Sequence, residues 1–286
     1  MRVKVPASSA NLGPGFDVLA LALDLHVEVS VEPAAGLEVV ASGEGRDLPA
    51  DASHLAARVA TAVAGHDRLR VEIHSDIPMG RGLGSSAAVA VAAAAAAGAD
   101  DPFAWGVRVD GHPENAAASA FGGLVAATTV GGVPVWRRLA LDPELAFVVL
   151  IPDRELLTSD ARRVLPDTVA RADAIFNLGR MAVLVAGLAD HRQLVAEAGD
   201  DRLHQDFRAA LFPEAPDLLA GLRRAGALTS FWSGAGSTLL GVATGTTAEA
   251  VAEAGRGLLD AHGVAGRVAV LNADRGGITP CGRRAQ

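Results

Sequence analysis

Lysine is almost missing from this chain: of its 25 basic residues only Lys4 is lysine, and the rest are arginine. A Walker-type phosphate loop needs Gly-Lys-Ser/Thr, and a protein-kinase fold needs a strand lysine on the nucleotide phosphates. Lys4 lies in the first strand-like segment with no glycine loop beside it, so it can build neither. A lysine Schiff-base enzyme is disfavoured for the same reason. Tyrosine is absent, and one cysteine, Cys281, stands alone. A disulfide framework and a cysteine-based zinc site are therefore excluded. The start, Met1-Arg2-Val3-Lys4-Val5-Pro6, lacks the apolar core of a signal peptide, so a cytoplasmic protein is expected. Long hydrophobic runs are also lacking. The longest, Ala87 to Ala99, is mostly alanine and falls short of the roughly 20 strongly apolar residues of a bilayer span. It reads as a buried helix of a soluble protein.

What is present suits a folded enzyme. The 286 residues suggest one large domain or two ordinary ones. Half of them are hydrophobic and 20% are charged, which argues against disorder. A net charge of −8 argues against a general nucleic-acid binder. Strands are expected at Val3–Pro6, Val18–Val31, Leu37–Ala41 and Leu69–His74, and a helix at Ser53–Ala64 with Ser53 as its cap. An alanine-rich helix should end near Ala97, and one or two helical turns should follow from Phe103 to Val109. A strand pair turns around Gly131-Gly132, and Leu145–Ile151 is a strong apolar strand. Beyond it come longer helices, at Ser159–Leu165, Val169–Leu188, His191–Ala198, Asp217–Ala225 and Thr247–His262. Strands flank Ser233-Gly234-Ala235-Gly236-Ser237, and Arg267–Leu271 reads as the last strand. The order implies an α+β protein of two lobes, residues 1–145 and 146–286.

The densest signal is Pro78-Met79-Gly80-Arg81-Gly82-Leu83-Gly84-Ser85-Ser86-Ala87-Ala88, which follows a strand and opens a helix. Glycines permit positive φ and close backbone approach. The first N–H groups of a helix lack internal partners, and the helix dipole is positive there. Such a turn cradles phosphate through its backbone and needs no lysine. The bland alternative is a plain helix start with Ser85 as cap.

This string resembles the nucleotide motif of the GHMP small-molecule kinases. Pro6-Ala7-Ser8-Ser9-Ala10-Asn11-Leu12-Gly13-Pro14-Gly15-Phe16-Asp17 is similar to the first motif of the homoserine kinases in that family. The resemblance spans Pro6 to Gly236. It implies an N-terminal lobe like ribosomal protein S5 domain 2 and a C-terminal ferredoxin-like lobe. It also implies ATP-dependent phosphorylation of L-homoserine, within threonine biosynthesis, with Mg²⁺. By this resemblance Pro78 to Ala87 hold ATP, joined by His54 near the adenine and by Gly234 and Gly236 of the third motif. Asn11 and Asp17 would meet homoserine, Asp17 through the ammonium group or as an alternative base. Gly111-His112-Pro113-Glu114-Asn115 is similar to the family's Gly-His-Pro-Asp-Asn, with Glu for Asp. His112 and Asn115 would orient the reacting hydroxyl. Asp110 stands where the family often has Glu, and with Ser86 it is the candidate Mg²⁺ ligand, directly or through water. Thr158, Arg162 and Arg208 would bind the homoserine carboxylate, the arginines as forks. Phe207, in place of the family's Tyr, should keep the packing of that ring. Other substrates of the family, or a catalytically silent homologue, are the competing readings. The expected partner is L-homoserine. Neither nucleic acid nor a membrane is expected, and a homodimer is allowed for.

Overall fold

The computed structural model describes residues 1–282. Six strands of the first sheet come early: β1 (Arg2–Ala10), β2 (Leu19–Pro33), β3 (Glu38–Gly43), β4 (Leu69–Ser75), β5 (Leu124–Val130) and β6 (Val133–Arg138). A second sheet holds β7 (Leu145–Pro152), β8 (Thr229–Trp232), β9 (Leu239–Thr244) and β10 (Gly266–Leu271). The short β11 (Thr279–Pro280) then returns to pair with β1 at Val3 and Lys4. Arg267–Leu271 is therefore not the last strand. A two-residue strand has no alternation by which a sequence could announce it.

The 15-residue β2 is the spine of the first sheet. One edge pairs with β1, and the other takes β5 at Leu19–Leu21 and β4 from Val27 onward. Four helices serve this half: α1 (Leu55–Ala64), α2 (Ser85–Ala97), α3 (Pro102–Asp110) and α4 (Pro113–Phe121). Every residue from Ala87 to Ala96 of α2 is buried. Alanine and valine all round let α2 pack against β1, β2, α1 and α3 at once. A helix apolar on every side belongs in a core, as expected from its composition. Its N-terminus is thereby fixed against the sheet.

The remaining helices are α5 (Thr158–Arg163), α6 (Arg171–Ala189), α7 (Gln205–Arg208), α8 (Ala215–Arg224) and α9 (Ala248–Ala261). α8 and α9 cover one face of the second sheet. β7 is buried throughout, and its side chains alternate between two cores. Phe147, Val149 and Ile151 join the core shared with the first sheet, while Ala146, Val148 and Leu150 join the one under α8 and α9. α6 is long and apolar enough to cross a bilayer by length and composition alone. Here its Leu184 and Leu188 enter the first core.

Several local expectations change. Ser53 does not cap α1; its N–H and hydroxyl bond to the Asp51 carboxylate at 2.8 and 2.6 Å. His54 caps instead, its Nδ1 accepting the Ala56 N–H at 3.2 Å. The segment read as one helix at His191–Ala198 is two 3₁₀ turns, His191–Gln193 and Ala196–Gly199. Phe207 is 38% exposed, so it preserves no buried packing.

Candidate active site

The loop between β4 and α2 carries Gly80, Gly82 and Gly84, all with positive φ. At two of them glycine is obligatory. A Cβ on Gly82 would lie 2.1 Å from the Ser233 carbonyl oxygen, and one on Gly84 would lie 2.0 Å from the Ser8 hydroxyl. Gly84 is the helix cap and makes no side-chain capping bond. Ser85 is thus the first helical residue and not the cap, and the leading N–H groups of α2 lack a side-chain acceptor. The loop is also tied to both other glycine-rich turns. The Ser233 hydroxyl donates to Gly82 O at 2.7 Å and lies 2.8 Å from the Ser9 hydroxyl.

These turns face a cavity of about 510 Å³. Part of its lining is apolar, from Leu48, Leu55, Ile73 and Val89, and His54 also lines it. Burial lowers the His54 pKa, so the ring is neutral. The glycine-rich loop and helix start contribute Pro78, Met79, Gly80, Gly82, Leu83, Gly84, Ser85 and Ser86, and the third turn contributes Gly234 and Ala235. Arg81, Ala87 and Gly236 do not line the cavity. Arg81 turns away and donates to the carbonyls of Met79, Pro152 and Asp153 at 2.7, 3.0 and 2.9 Å, fastening the loop to the end of β7. Ala87 is buried in the core, and Gly236 packs against the Trp232 ring.

On the floor the Ser86 hydroxyl donates to the Asp110 carboxylate at 2.5 Å. Burial raises the Asp110 pKa, partly offset by that bond and by His112. A hydroxyl and a carboxylate in contact are hard oxygen donors of the kind Mg²⁺ takes. The pair fits such an ion.

The polar lining also includes Asn11, Asp17, His112, Glu114, Asn115, Thr158, Arg162 and Arg208. Arg162 donates twice to Asp17, at 2.8 and 3.1 Å. Its Nε is buried without a partner. Asn11, Leu12 and Asp17 hold positive φ without being glycine, a backbone state that surrounding contacts must enforce. Asn11 does part of that work, accepting from Asp17 N at 3.0 Å and donating to Gly234 O at 2.7 Å. Both ends of its amide are engaged, so it shapes the loop as well as lining the cavity.

Arg208 is 1% exposed and also doubly occupied. Its Nη1 donates to Gly234 O at 2.9 Å and to His204 Nδ1 at 3.0 Å, and its Nε to Ala161 O at 3.3 Å. Burial pulls its pKa down to about 10, which leaves it charged. Burial pulls His204 down to about 4, so this ring is neutral and can accept at Nδ1. Its Nε2 donates to Gly13 O at 2.8 Å, and the ring stacks on Phe16. The sequence motif pointed to Arg208, but His204 holds it in place.

Two further side chains went unassigned in the sequence. The Ser8 hydroxyl donates to Asn115 Oδ1 at 2.8 Å, which aims the Asn115 NH₂ group elsewhere. Ser8 sits inside the first motif, so its position was a usable signal. Glu114 is 2% exposed, with Oε2 buried and unpartnered. Burial raises its pKa to about 7, aided by the charges of Asp17 and Asp110 and opposed by Arg162.

Comparison with known proteins gives this geometry its family. The GHMP kinases N terminal domain matches residues 52–123, and the GHMP kinases C terminal domain matches residues 184–260. A homoserine kinase of Moorella thermoacetica is 40% identical, covering 85% of this chain and 87% of its own. One of Desulfitobacterium hafniense is 35% identical and covers 97% and 98%. The chain belongs to the homoserine kinases of the GHMP kinase family. The solved structure of homoserine kinase from Cytophaga hutchinsonii superposes with a TM-score of 0.85 at 26% identity, covering 98% of this chain and 96% of that one. In this GHMP kinase the two departures at Asp110 and Glu114 line the same cavity. Relative to the usual family motif, one carboxylate has lost a methylene and the other has gained one.

Proposed function

We propose that the chain transfers the γ-phosphoryl group of ATP to the side-chain hydroxyl of L-homoserine, giving O-phospho-L-homoserine and ADP. The observation that carries this is one cavity whose lining combines three kinds of surface. Its apolar side chains suit a base, its glycine turn and helix N-terminus suit phosphates, and its polar and charged side chains suit an amino acid. Among these, the Arg162 guanidinium is the group for a carboxylate and Asp17 the acidic group for an ammonium. The presence of a family-length chain with homoserine kinase relatives supports the same substrate.

Ser86 and Asp110 would hold Mg²⁺. The bound ion would neutralise phosphate charge. The chain's own residues do the positioning, which dominates phosphoryl transfer. Ser8 fixes the Asn115 oxygen, so the Asn115 NH₂ faces the reactants as a donor. The hydroxyl oxygen bonds to the γ-phosphorus as the bond to ADP breaks, and the hydroxyl proton must leave. Both oxygens of Asp17 are already engaged by Arg162. Glu114 has an unpartnered buried oxygen and a pKa of about 7, matched to accepting a proton near neutral pH. We assign it that role in place of Asp17, which the motifs had offered as an alternative base.

A coupled assay of ADP release with ATP and Mg²⁺ tests the reading. Turnover with L-homoserine, and not with mevalonate or galactose, is the expected result. Absence of homoserine-dependent turnover would reject it, and tight ATP binding without turnover on any of the three would favour a silent homologue.

A further inference from the structure

A second cavity of about 400 Å³ lies on the other side of α7. Its walls are rich in opposite charges, and most of them are spent. Arg202 pairs with Asp173 at 3.2 Å and Arg223 with Asp200 at 2.8 Å. The Asp201 carboxylate accepts from Asn177 and from the N–H groups of Leu203, His204 and Gln205. Two groups are left over. Among the described residues neither Arg180 nor Asp206 has an ion pair, and both line this cavity. Arg180 Nε is buried without a hydrogen-bond partner, its guanidinium held over the Phe176 ring at 4.8 Å. That nitrogen is enclosed, so an acceptor in the cavity would meet the rest of the guanidinium.

One unpaired guanidinium and one unpaired carboxylate around a space of this size are complementary to a small zwitterion. Pro216 offers exposed apolar contact to a short side chain, while Phe176 carries Arg180 and Arg202 over its ring and Leu219 and Trp232 are buried. We propose that this second cavity binds a free α-amino acid, with its carboxylate on Arg180 and its ammonium group on Asp206. Asp206 already has its pKa raised by partial burial and by the charges of Asp201 and Asp200, which an arriving cation would relieve.

The cavity shares its wall with the first. α7 turns Gln205 and Asp206 to this side and Arg208 to the other. Gln205 donates to Gly199 O at 3.0 Å and accepts from Trp232 N at 2.9 Å. Gly199 in turn presses on the substrate loop, since a Cβ on Gly13 would lie 2.5 Å from its carbonyl oxygen. Occupancy of the second cavity therefore alters the seating of Gly13 and Arg208. This coupling, unlike the binding itself, rests on the homoserine reading above.

Calorimetry on the full chain tests binding without any turnover. The probes are L-alanine and L-valine, with 3-methylbutanoate and isobutylamine as analogues of valine that lack one charge each. At least one amino acid should bind the wild type more tightly than both analogues. Arg180→Gln should weaken it about tenfold, since a charge-assisted bond is lost. Asp206→Asn, at a solvent-exposed position that leaves folding intact, should weaken it about threefold, and Arg162→Ala should leave it unchanged. Binding of neither amino acid, or loss only in Arg162→Ala, overturns the second site. For the coupling, saturating probe should shift the KM for L-homoserine at least about fivefold. That shift should vanish in Arg180→Gln. A KM that does not move, or moves equally in Arg180→Gln, overturns the coupling and leaves the calorimetric result to stand on its own.

Discussion

Arg162 and Asp17 lie 145 residues apart in sequence and meet as a bidentate pair, with bonds of 2.8 and 3.1 Å in the cavity wall. The pair bridges a loop of the first lobe to α5, which follows β7. Each partner fixes the other's rotamer, and under the proposed function each also meets the substrate through its charge. Removing either one therefore disturbs the other. Arg162→Ala and Asp17→Asn should each raise the KM for L-homoserine by about tenfold or more, with kcat changed much less. The double variant should fall short of the product of the two, with a coupling of about 1 kcal/mol or more. Strict additivity would mean that the two residues meet the substrate independently. A fall in kcat at unchanged KM in Asp17→Asn would return the proton-accepting role to Asp17.

Glu114 gives a prediction in pH with a definite sign. Its folded carboxyl stands at about 7 and its ordinary value is 4.5. Between those values the folded chain keeps a proton that the unfolded chain has released. This contribution to stability is complete below pH 4.5 and is lost as pH rises to about 7. The loss is about 3 kcal/mol by linkage, an upper figure for a group 2% exposed. Glu114→Gln carries no such penalty. Its Tm relative to wild type should rise by about 6 °C between pH 4.5 and pH 8. In the same variant kcat should fall and lose its rise through neutral pH. A pH-independent difference in Tm would show that the carboxyl is not buried and uncharged in the folded chain.

Asn115 tests positioning at the level of one hydroxyl. Ser8 holds its oxygen, and the Gly84 backbone is packed against that same serine. Ser8→Ala should lower kcat by about tenfold while the KM for ATP stays within about twofold, because the amide then rotates freely. Gly84→Ala should be far worse, about a hundredfold in kcat/KM. It combines a φ of +64° with a 2.0 Å clash, and removing the Ser8 hydroxyl relieves only the clash. Full recovery in the Ser8→Ala, Gly84→Ala double variant would contradict the backbone argument.

The glycine loop that lines the cavity was legible in the sequence because it depends on backbone shape. Gly82 and Gly84 cannot be any other residue, so they stand out in the chain. The alanine run of α2 was equally open, since burial on every side leaves no polar stripe. The amino-acid end was readable only in part. Arg208 has the chemistry of a carboxylate fork, yet its Nη1 and Nε are given to Gly234, His204 and Ala161. Two of these partners, Ala161 and Gly234, come from distant stretches of chain, and no local pattern joins them to Arg208. Glu114 stood in the motif only as a departure from the family's Asp, and its burial near Asp17 and Asp110 is what changes its chemistry. β11 escaped notice because two residues carry no period.

The contact between Ser86 and Asp110 leads to the last prediction. The two oxygens lie 2.5 Å apart, and burial destabilises the charged carboxylate by more than the Ser86 bond and His112 offset. An ion at this point would receive one charged and one neutral oxygen from the chain, and the phosphates would supply the rest. Asp110→Asn removes the charge while keeping the shape. The Mg²⁺ concentration for half-maximal activity should rise about tenfold or more, and added Mg²⁺ should recover part of kcat. Ser86→Ala should shift the same curve less, since a neutral ligand contributes less to a hard cation. Asp110→Glu separates geometry from charge: it restores the side chain common in the family but lengthens it by one methylene toward Ser86. If direct coordination is right, this variant should keep a Mg²⁺ requirement close to wild type. If the ion instead sits one water away from the shorter aspartate, the longer carboxylate should bind it more tightly, and the half-maximal concentration should fall below that of the wild type.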